Sequence, residues 1–245
     1  MERSDGRRKN QLRQISFEVG YSKYAEGSVL AKFGDTHVLC NVTVDDSLPH
    51  WLRTSPGTQG WLTAEYALLP RSTQSRVRRE QRWPKGRTQE ISRLIGRSLR
   101  MAVDLKLLGE RQLIVDCDVL QADGGTRTAA ISGAWAAVQL ALQPLIENGT
   151  LDPGVRTRQV AAISAGIVEG TPLLDLAYDE DVSAEVDLNI VMSSAGEIIE
   201  IQGTAEKAPL SRMLLDELVE LSWKGIEEIC KEQLRALSLQ AGGSA

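Results

Sequence analysis

The run Asp123-Gly124-Gly125-Thr126-Arg127-Thr128 combines residue types that bind anions, between a predicted strand and a predicted helix. The glycines let the backbone approach an anion closely, and the helix start offers free N–H groups and the positive end of its dipole. Arg127 can add a bidentate grip on phosphate. The chain has neither the Walker motif nor the dinucleotide glycine motif, which argues against a nucleotide cofactor. The alternative is an ordinary glycine turn with a threonine that caps the helix.

A second arginine stands at another predicted helix start, in the run Gly86-Arg87-Thr88-Gln89-Glu90. A helix N-terminus beside a guanidinium group would form a second anion pocket. The alternative is an ordinary capping box with Thr88 as the cap. The two interpretations are compatible, because one helix end can be capped and still bind an anion.

Acidic side chains alternate with apolar ones along a predicted strand at residues 184–193. Glu185, Asp187 and Asn189 share one face of this strand, and Asp181 lies just before it. Carboxylates on one strand face, together with water and a substrate phosphate, suit Mg²⁺ or Mn²⁺. The alternative is a half-exposed edge strand whose acidic face is solvated.

Positive charge is concentrated in residues 71–100, where nine arginines and one lysine stand against two glutamates and give a net charge of +8. Because the whole chain carries −5, the remainder carries −13. One basic patch on an acidic body concentrates affinity for polyanions in one place. Arg93, Arg97 and Arg100 share a predicted helix face, and Trp83 could stack on a base. The alternatives are a solvated loop and a solvated helix face.

Two anion pockets, acidic metal ligands and a polyanion surface together describe the transfer of a nucleotidyl group. The chain has only two histidines, His37 and His50, and no obvious Ser–His–Asp or Cys–His arrangement. We therefore expect a reaction that needs no protein nucleophile, because inorganic phosphate is already largely anionic at neutral pH and positioning and charge stabilisation can suffice. A hydrolytic metal nuclease would need a denser carboxylate cluster, and a phosphate-binding metabolic enzyme would leave the basic segment unexplained.

The hydrophobic pattern predicts an α+β fold in a single domain spanning residues 1–245, with mixed sheets, packed helices and two βα-rich halves. Strands are predicted at 14–19, 27–33, 36–44, 58–68, 111–121, 159–168, 172–178, 184–193 and 197–202. Helices are predicted at 88–108, 127–146 and 209–237, with a basic loop at 71–86, a basic arm at 1–13 and a flexible tail at 239–245. The second of these helices is apolar almost all round, which is typical of a buried central helix.

Composition places the chain among ordinary globular proteins. Its three cysteines, Cys40, Cys117 and Cys230, are odd in number and lack C-x-x-C spacing, which predicts buried free thiols in a reducing compartment. No apolar run approaches the roughly 20 residues that cross a bilayer, and the charged start lacks the apolar stretch of a secretory signal. We therefore expect a cytoplasmic protein that does not bind membranes.

Distinctive short runs are spread over nearly the whole chain. They are Tyr24-Ala25-Glu26-Gly27-Ser28-Val29-Leu30, Phe33-Gly34-Asp35-Thr36, Gly60-Trp61-Leu62-Thr63-Ala64-Glu65-Tyr66, Leu69-Pro70-Arg71-Ser72-Thr73, Gly86-Arg87-Thr88, Asp116-Cys117-Asp118-Val119-Leu120-Gln121-Ala122-Asp123-Gly124-Gly125-Thr126-Arg127-Thr128 and Gln202-Gly203-Thr204-Ala205-Glu206. In this fixed order they resemble the RNase PH family, which is related to the exosome ring subunits and to polynucleotide phosphorylase. The last run, where a predicted strand ends in a glycine turn, is weak evidence on chemistry alone and gains its significance from this match.

The resemblance implies a reversible reaction in which phosphate attacks the 3′-terminal phosphodiester of RNA and releases a nucleoside diphosphate. The family trims nucleotides beyond the 3′-CCA end of tRNA precursors and, in reverse, extends RNA from nucleoside diphosphates. The resemblance also implies a homo-hexamer built as a trimer of dimers. The alternative is a non-catalytic RNA-binding subunit of an exosome-like ring, but such subunits typically lose the phosphate arginine or the acidic pair.

The resemblance assigns roles to residues already singled out. Phosphate contacts are expected from Arg87, Gly125, Thr126 and Arg127, and the divalent metal, Mg²⁺ or Mn²⁺, near Asp181 and Asp187. The three residues expected to act in catalysis are therefore Asp181, Asp187 and Arg127. RNA contacts are expected from Arg71, Arg76 and Arg79 in the loop and from Arg93 and Arg97 on the helix. Two segments depart from the family pattern, 51–57 and 82–85, and both bear on RNA preference.

Overall fold

The computed structural model describes residues 3–53, 59–79, 86–207 and 209–241. The strands are β1 Ile15–Val19, β2 Gly27–Phe33, β3 Thr36–Asp45, β4 Trp61–Leu68, β5 Gln112–Gln121, β6 Val160–Val168, β7 Thr171–Leu174, β8 Val186–Ser193 and β9 Ile198–Ala205. The helices are α1 His50–Arg53, α2 Gly86–Arg100, α3 Leu105–Leu108, α4 Thr126–Glu147, α5 Tyr178–Ser183 and α6 Arg212–Ala241, with a 3₁₀ turn at Pro153–Val155.

The strands form two sheets, one in each half of the chain. The first sheet has the order β1-β2-β3-β5-β4, in which only the β4–β5 pair is parallel. The second has the order β7-β6-β8-β9 and is antiparallel throughout. The predicted α+β fold with mixed sheets is confirmed. Strand β8 lies between β6 and β9, so the edge-strand alternative for residues 184–193 is wrong.

Helix α4 packs between the two sheets and joins them in one hydrophobic core. It packs against β2 and β3 on one side and against β6 on the other, and its residues are buried around almost the whole first four turns. Among the described residues it is the one helix long and apolar enough to cross a membrane, but 72% of that apolar window is buried inside the protein. Its composition is therefore that of a core helix, as its apolar pattern predicts.

Several boundaries differ from the sequence pattern for local reasons. The helix predicted at 88–108 ends at Arg100, because Asp104 starts the separate helix α3 by accepting hydrogen bonds from the N–H groups of Lys106 and Leu107. The strand predicted at 172–178 ends at Leu174, where Asp175 adopts a φ of 56° and the chain turns into α5.

The two predicted termini are more ordered than the sequence suggests. The arm at residues 3–13 is tied to the second half of the chain by buried ion pairs, and α6 continues through Ala241, inside the predicted flexible tail. All three cysteines are free and buried, as predicted. Trp83 and the departing segment 82–85 lie outside the described residues, as does most of the other departing segment.

Candidate active site

The loop between β5 and α4 presents an uncapped helix start. Gly124 and Gly125 have φ values of 73° and 64°, in the left-handed region that glycine tolerates. Gly125 occupies the cap position and supplies no side chain to the first turn of α4. The Thr128 hydroxyl instead donates to the Gly125 carbonyl oxygen at 2.9 Å, so the threonine-cap alternative is wrong. The first N–H groups of α4 are therefore free to bind an anion.

A cavity of about 410 Å³ opens beside this loop. It brings together all six predicted phosphate and metal residues: Arg87, Gly125, Thr126, Arg127, Asp181 and Asp187. These residues come from α2, the β5–α4 loop, α4, α5 and β8, so both halves of the chain contribute to one cavity. The basic loop adds a wall through Thr73, Gln74 and Ser75. Five residues predicted to contact RNA, Arg71, Arg76, Arg79, Arg93 and Arg97, do not line the cavity.

Arg127 is held at the cavity by a carboxylate from the neighbouring helix. Its Nη2 lies 3.3 Å from Glu90 Oε2, and Glu90 Oε1 in turn accepts a hydrogen bond of 2.6 Å from Gln202 Nε2. The Arg127 Nε is buried and has no hydrogen-bond partner in the described part of the chain. A buried guanidinium N–H without an acceptor is costly, so this arginine is disposed to bind an incoming anion.

The two candidate metal ligands lie close together on adjacent elements. Burial raises the pKa of Asp187 to about 6, reinforced by the charge of Asp181 and opposed by Arg127 and Arg87. Burial also raises the pKa of Asp181, against the same two arginines. Neither carboxylate has a hydrogen bond or ion pair among the described residues. Two neighbouring carboxylates that form no ion pair of their own fit a hard divalent cation.

Glu185, the other acidic residue predicted on this strand face, does not lie in the cavity with Asp181 and Asp187. Glu185, predicted to share the face of Asp187, accepts a hydrogen bond from the Gly170 N–H at 3.2 Å and does not line the cavity. The buried amide of Asn189 does line it. Within the described ranges no group of three or more His, Cys, Asp or Glu residues could hold a metal, so most ligands of a bound cation would come from water and substrate.

The arginines of α2 are less alike than their spacing predicts. Arg97 lies 3.3 Å from Glu200 on β9 and is 61% exposed, whereas Arg93 Nε donates to the Gln89 carbonyl oxygen on its own helix. Arg100 turns away to stack on Trp61 at 4.8 Å and to donate to the Leu62 carbonyl oxygen. The prediction that all three arginines point the same way is therefore wrong, and of the three only Arg93 and Arg97 are exposed.

Two residues of the site were missed by the sequence pattern. Tyr66 lines the cavity, and its hydroxyl lies 2.8 Å from the Thr126 hydroxyl. Burial raises the pKa of Tyr66, so its phenol remains protonated. Its position at the end of β4, beside the parallel strand β5, was an available signal, because ligands often bind at the carboxyl ends of parallel strands. The second missed residue, Arg13, contacts the loop from outside the cavity, and no feature of the sequence around it indicates this contact.

Comparison with protein-family models supplies the decisive observation. Residues 11–144 match domain 1 of the 3′ exoribonuclease family, and residues 158–225 match domain 2. This chain belongs to the 3′ exoribonuclease family. The two matched segments correspond to the two sheets, and the resemblance to RNase PH is confirmed.

Relatives within the family are similar along the whole chain. Ribonuclease PH of Maricaulis maris is 54% identical over 237 residues, which cover 96% of this chain and 99% of the relative. Ribonuclease PH of Synechococcus elongatus is 54% identical over 235 residues, which cover 96% and 98%. An Archaeoglobus fulgidus exosome structure with RNA bound to its active site has the same fold, with a TM-score of 0.79 at 23% identity over 94% of this chain and 92% of the other.

Proposed function

We infer that this chain is a phosphate-dependent 3′→5′ exoribonuclease of the RNase PH type. It removes nucleotides from the 3′ end of RNA as nucleoside diphosphates and, in reverse, adds nucleotides from them. The observation that supports this function is one cavity in which two arginines and an uncapped helix start lie beside a pair of half-buried carboxylates. Such a cavity provides separate places for an attacking phosphate and for the scissile phosphodiester.

The positively charged groups of the cavity are proposed to bind and orient the attacking phosphate. Arg127 and the backbone of Gly125 and Thr126 hold the attacking phosphate, and Arg87 orients it and offsets developing negative charge. Binding of phosphate competes with Glu90 for Arg127 and gives the buried Nε an acceptor. Both reactants are anions, so bringing them together depends on this positive charge and on fixed geometry rather than on a protein nucleophile.

Asp181 and Asp187 would hold the divalent cation, Mg²⁺ or Mn²⁺. When bound, the cation supplies Lewis-acid stabilisation of charge on the scissile phosphate. Burial and, after it, the charge of Asp181 raise the pKa of Asp187, and this supports the assignment because a bound cation would stabilise the ionised carboxylates.

RNA would be held by the exposed arginines around the cavity. Arg71, Arg76 and Arg79 belong to the loop that forms one cavity wall, and Arg93 and Arg97 belong to α2, whose first turn carries Arg87. Contacts of this kind bind the phosphate backbone with little dependence on sequence. The proposed substrates are tRNA precursors, trimmed beyond the 3′-CCA end, and other RNA 3′ ends.

The proposed assembly is a homo-hexameric ring in the cytoplasm. Large apolar side chains exposed on α6, including Met213 at 77% and Leu234 at 54%, support burial against further copies. Free buried cysteines support a reducing compartment. Light scattering or sedimentation would give a mass six times 26.8 kDa for the proposed ring, and a monomer would contradict it.

Incubating RNA with and without inorganic phosphate tests the reaction. We expect nucleoside diphosphates to appear only when phosphate is present, and RNA to lengthen when nucleoside diphosphates are supplied without it. Release of nucleoside monophosphates without phosphate would indicate a hydrolase. RNA binding without any turnover would indicate a non-catalytic ring subunit.

A further inference from the structure

Residues 3–13, which we call the N-terminal strap, carry three arginines that surround two buried carboxylates of the second half. Arg13 donates from Nη2 to Asp175 Oδ1 at 2.7 Å and from Nε to Asp175 Oδ2 at 3.1 Å. Arg3 forms two hydrogen bonds of 2.7 Å with the Glu180 carboxylate. Arg7 lies 3.3 Å from Asp175 and 3.6 Å from Glu180. The strap is thus fixed to the segment that leads into α5.

These charges are almost completely withdrawn from water. The side chains of Arg13 and Asp175 are 5% and 0% exposed. Burying a charged pair costs several kcal/mol per ion in desolvation, which mutual attraction offsets only when the geometry is good, so a buried pair is weak evidence for a purely stabilising role. Burial opposes the charged form of Arg13, but the Asp175 carboxylate outweighs burial and raises the pKa of Arg13. The guanidinium is therefore a permanent positive charge in a fixed position.

The fixed guanidinium reaches the loop that precedes α4. Its Nη1 donates to the Asp123 carbonyl oxygen, and its Nη2 lies 3.5 Å from the Gly124 carbonyl oxygen. The Thr36 hydroxyl shares one of these peptide groups with Arg13, because it donates to the Gly124 carbonyl oxygen at 2.6 Å. It also accepts from the Asp123 N–H at 2.9 Å, which belongs to the preceding peptide group. Arg13 itself does not line the cavity.

Because the peptide bond is planar, these contacts to carbonyl oxygens also fix the direction of the loop's N–H groups. In a trans peptide the N–H points opposite to the carbonyl oxygen of the same unit. When the carbonyls of Asp123 and Gly124 face Arg13, the N–H groups of Gly124 and Gly125 must face the other side of the loop. Within the described ranges neither N–H group donates a hydrogen bond. Glycine has no preferred sign of φ, so the loop needs an external contact to hold this orientation.

We propose that Arg13, clamped by Asp175, is a positioning residue that orients the Gly124 and Gly125 N–H groups toward the attacking phosphate. The inference rests on the proposed function and extends the phosphate site to a residue that touches no substrate. It also gives the strap a role in catalysis, because the clamp ties the loop to the segment that leads into the Asp181 helix.

Steady-state phosphorolysis of a short RNA, measured against phosphate concentration, tests this role. Arg13→Gln and Asp175→Asn should each raise the KM for phosphate by on the order of 10–100-fold and leave the KM for RNA unchanged, because a supporting contact beyond the first ligands is lost. Asparagine tolerates the positive φ at position 175, so the second variant removes the charge without adding backbone strain. Arg8→Gln is the matched control, because the side chain of this exposed strap arginine makes no hydrogen bond or ion pair among the described residues.

Arg13→Lys separates positioning from stability. Lysine keeps the charge that pairs with Asp175 but lacks the forked donors that reach the loop, so thermal unfolding should stay near that of the unaltered protein while the phosphate KM remains raised. This variant decides the question if Arg13→Gln does not fold. A phosphate KM unchanged in Arg13→Lys and Asp175→Asn would overturn the inference. Absence of phosphate dependence in the unaltered chain would instead overturn the proposed function.

Discussion

Arg127 is the residue on which the proposed phosphate site depends most directly. In the structure its guanidinium pairs with Glu90 and leaves the buried Nε without an acceptor. In the proposed complex, phosphate would accept the hydrogen bond that Nε lacks. Arg127→Ala should lower kcat/KM for phosphate by on the order of 10²–10³-fold, the usual loss for one preorganised charge-stabilising donor. The control is Arg111→Ala, which removes an arginine paired with Asp46 at the surface. Unaltered turnover in the Arg127 variant would contradict the assignment.

Asp187 gives a second prediction at this scale, on stability and pH. Its pKa is raised from 3.8 to about 6, so the folded state binds more protons than the unfolded state between these values. The stability that this group contributes is therefore complete below pH 3.8 and is lost as the pH rises through about 6. In buffer with a chelator, Asp187→Asn should raise the Tm clearly at about pH 8 and much less at about pH 5.

Thermal unfolding at both pH values measures this difference. Asp179→Asn is the matched control, because it removes one charge from an exposed side chain on α5. A larger gain from Asp187→Asn at the lower pH would show that burial does not disfavour the ionised form. Addition of Mg²⁺ should stabilise the unaltered protein and not Asp187→Asn, because the variant lacks one of the two proposed ligands.

Among the elements, α4 packs closely against β2 and β3, and Gly133 is one of the glycines that permit the contact. A Cβ added at Gly133 would lie 2.6 Å from the Cβ of Ala31 and 2.9 Å from the Sγ of Cys40. Gly133→Ala should therefore lower the free energy of unfolding by about 1–3 kcal/mol, the usual cost of overpacking a core. Gly96→Ala is the matched control in α2, where the nearest atom is the end of the Arg100 side chain at 3.3 Å. Denaturant unfolding compares the two, and equal stabilities would contradict the close approach.

Periodic elements were predictable from the sequence because their burial repeats along the chain. Strand β2 and helix α4 agree with the prediction to within a residue at each end. The short helix α5 was not predictable, because six residues carry too little periodicity and the chain enters it through the turn at Asp175. Its absence from the prediction placed Asp181 next to a strand rather than on a helix.

The site was predictable where its chemistry is local and unpredictable where contacts are distant. The glycine pair and Arg127 stand together in the sequence, so their role as an anion site could be argued directly. The partners Arg13 and Asp175 are separated by 162 positions, and nothing in the local pattern of either indicates the other. Glu90 and Gln202, separated by 112 positions, were likewise singled out only in separate runs.

Over the whole molecule, charge is divided between a basic segment of +8 and an acidic remainder of −13. RNA affinity should therefore fall steeply with salt, because each neutralised phosphate releases counterions. Arg76→Ala should weaken binding similarly for unrelated RNA sequences and reduce the slope of log affinity against log salt by ~0.7. Arg235→Ala, which removes an arginine paired with Glu232 on α6, is the control. Fluorescence anisotropy with single-stranded RNA measures both slopes, and equal slopes would exclude Arg76 as a phosphate contact.

The cavity takes its glycine loop from the first half of the chain and the pair Asp181 and Asp187 from the second. A ribosome adds about 5–20 residues per second, so the loop at residues 123–127 precedes β8 and β9 by several seconds. During that interval the chain has the glycine loop but not yet the complete carboxylate pair of Asp181 and Asp187. If Asp181 and Asp187 hold the catalytic cation as proposed, a partly synthesised chain cannot yet shorten the transcripts and tRNAs that surround it. The proposed activity would then begin only after the second half of the chain has emerged.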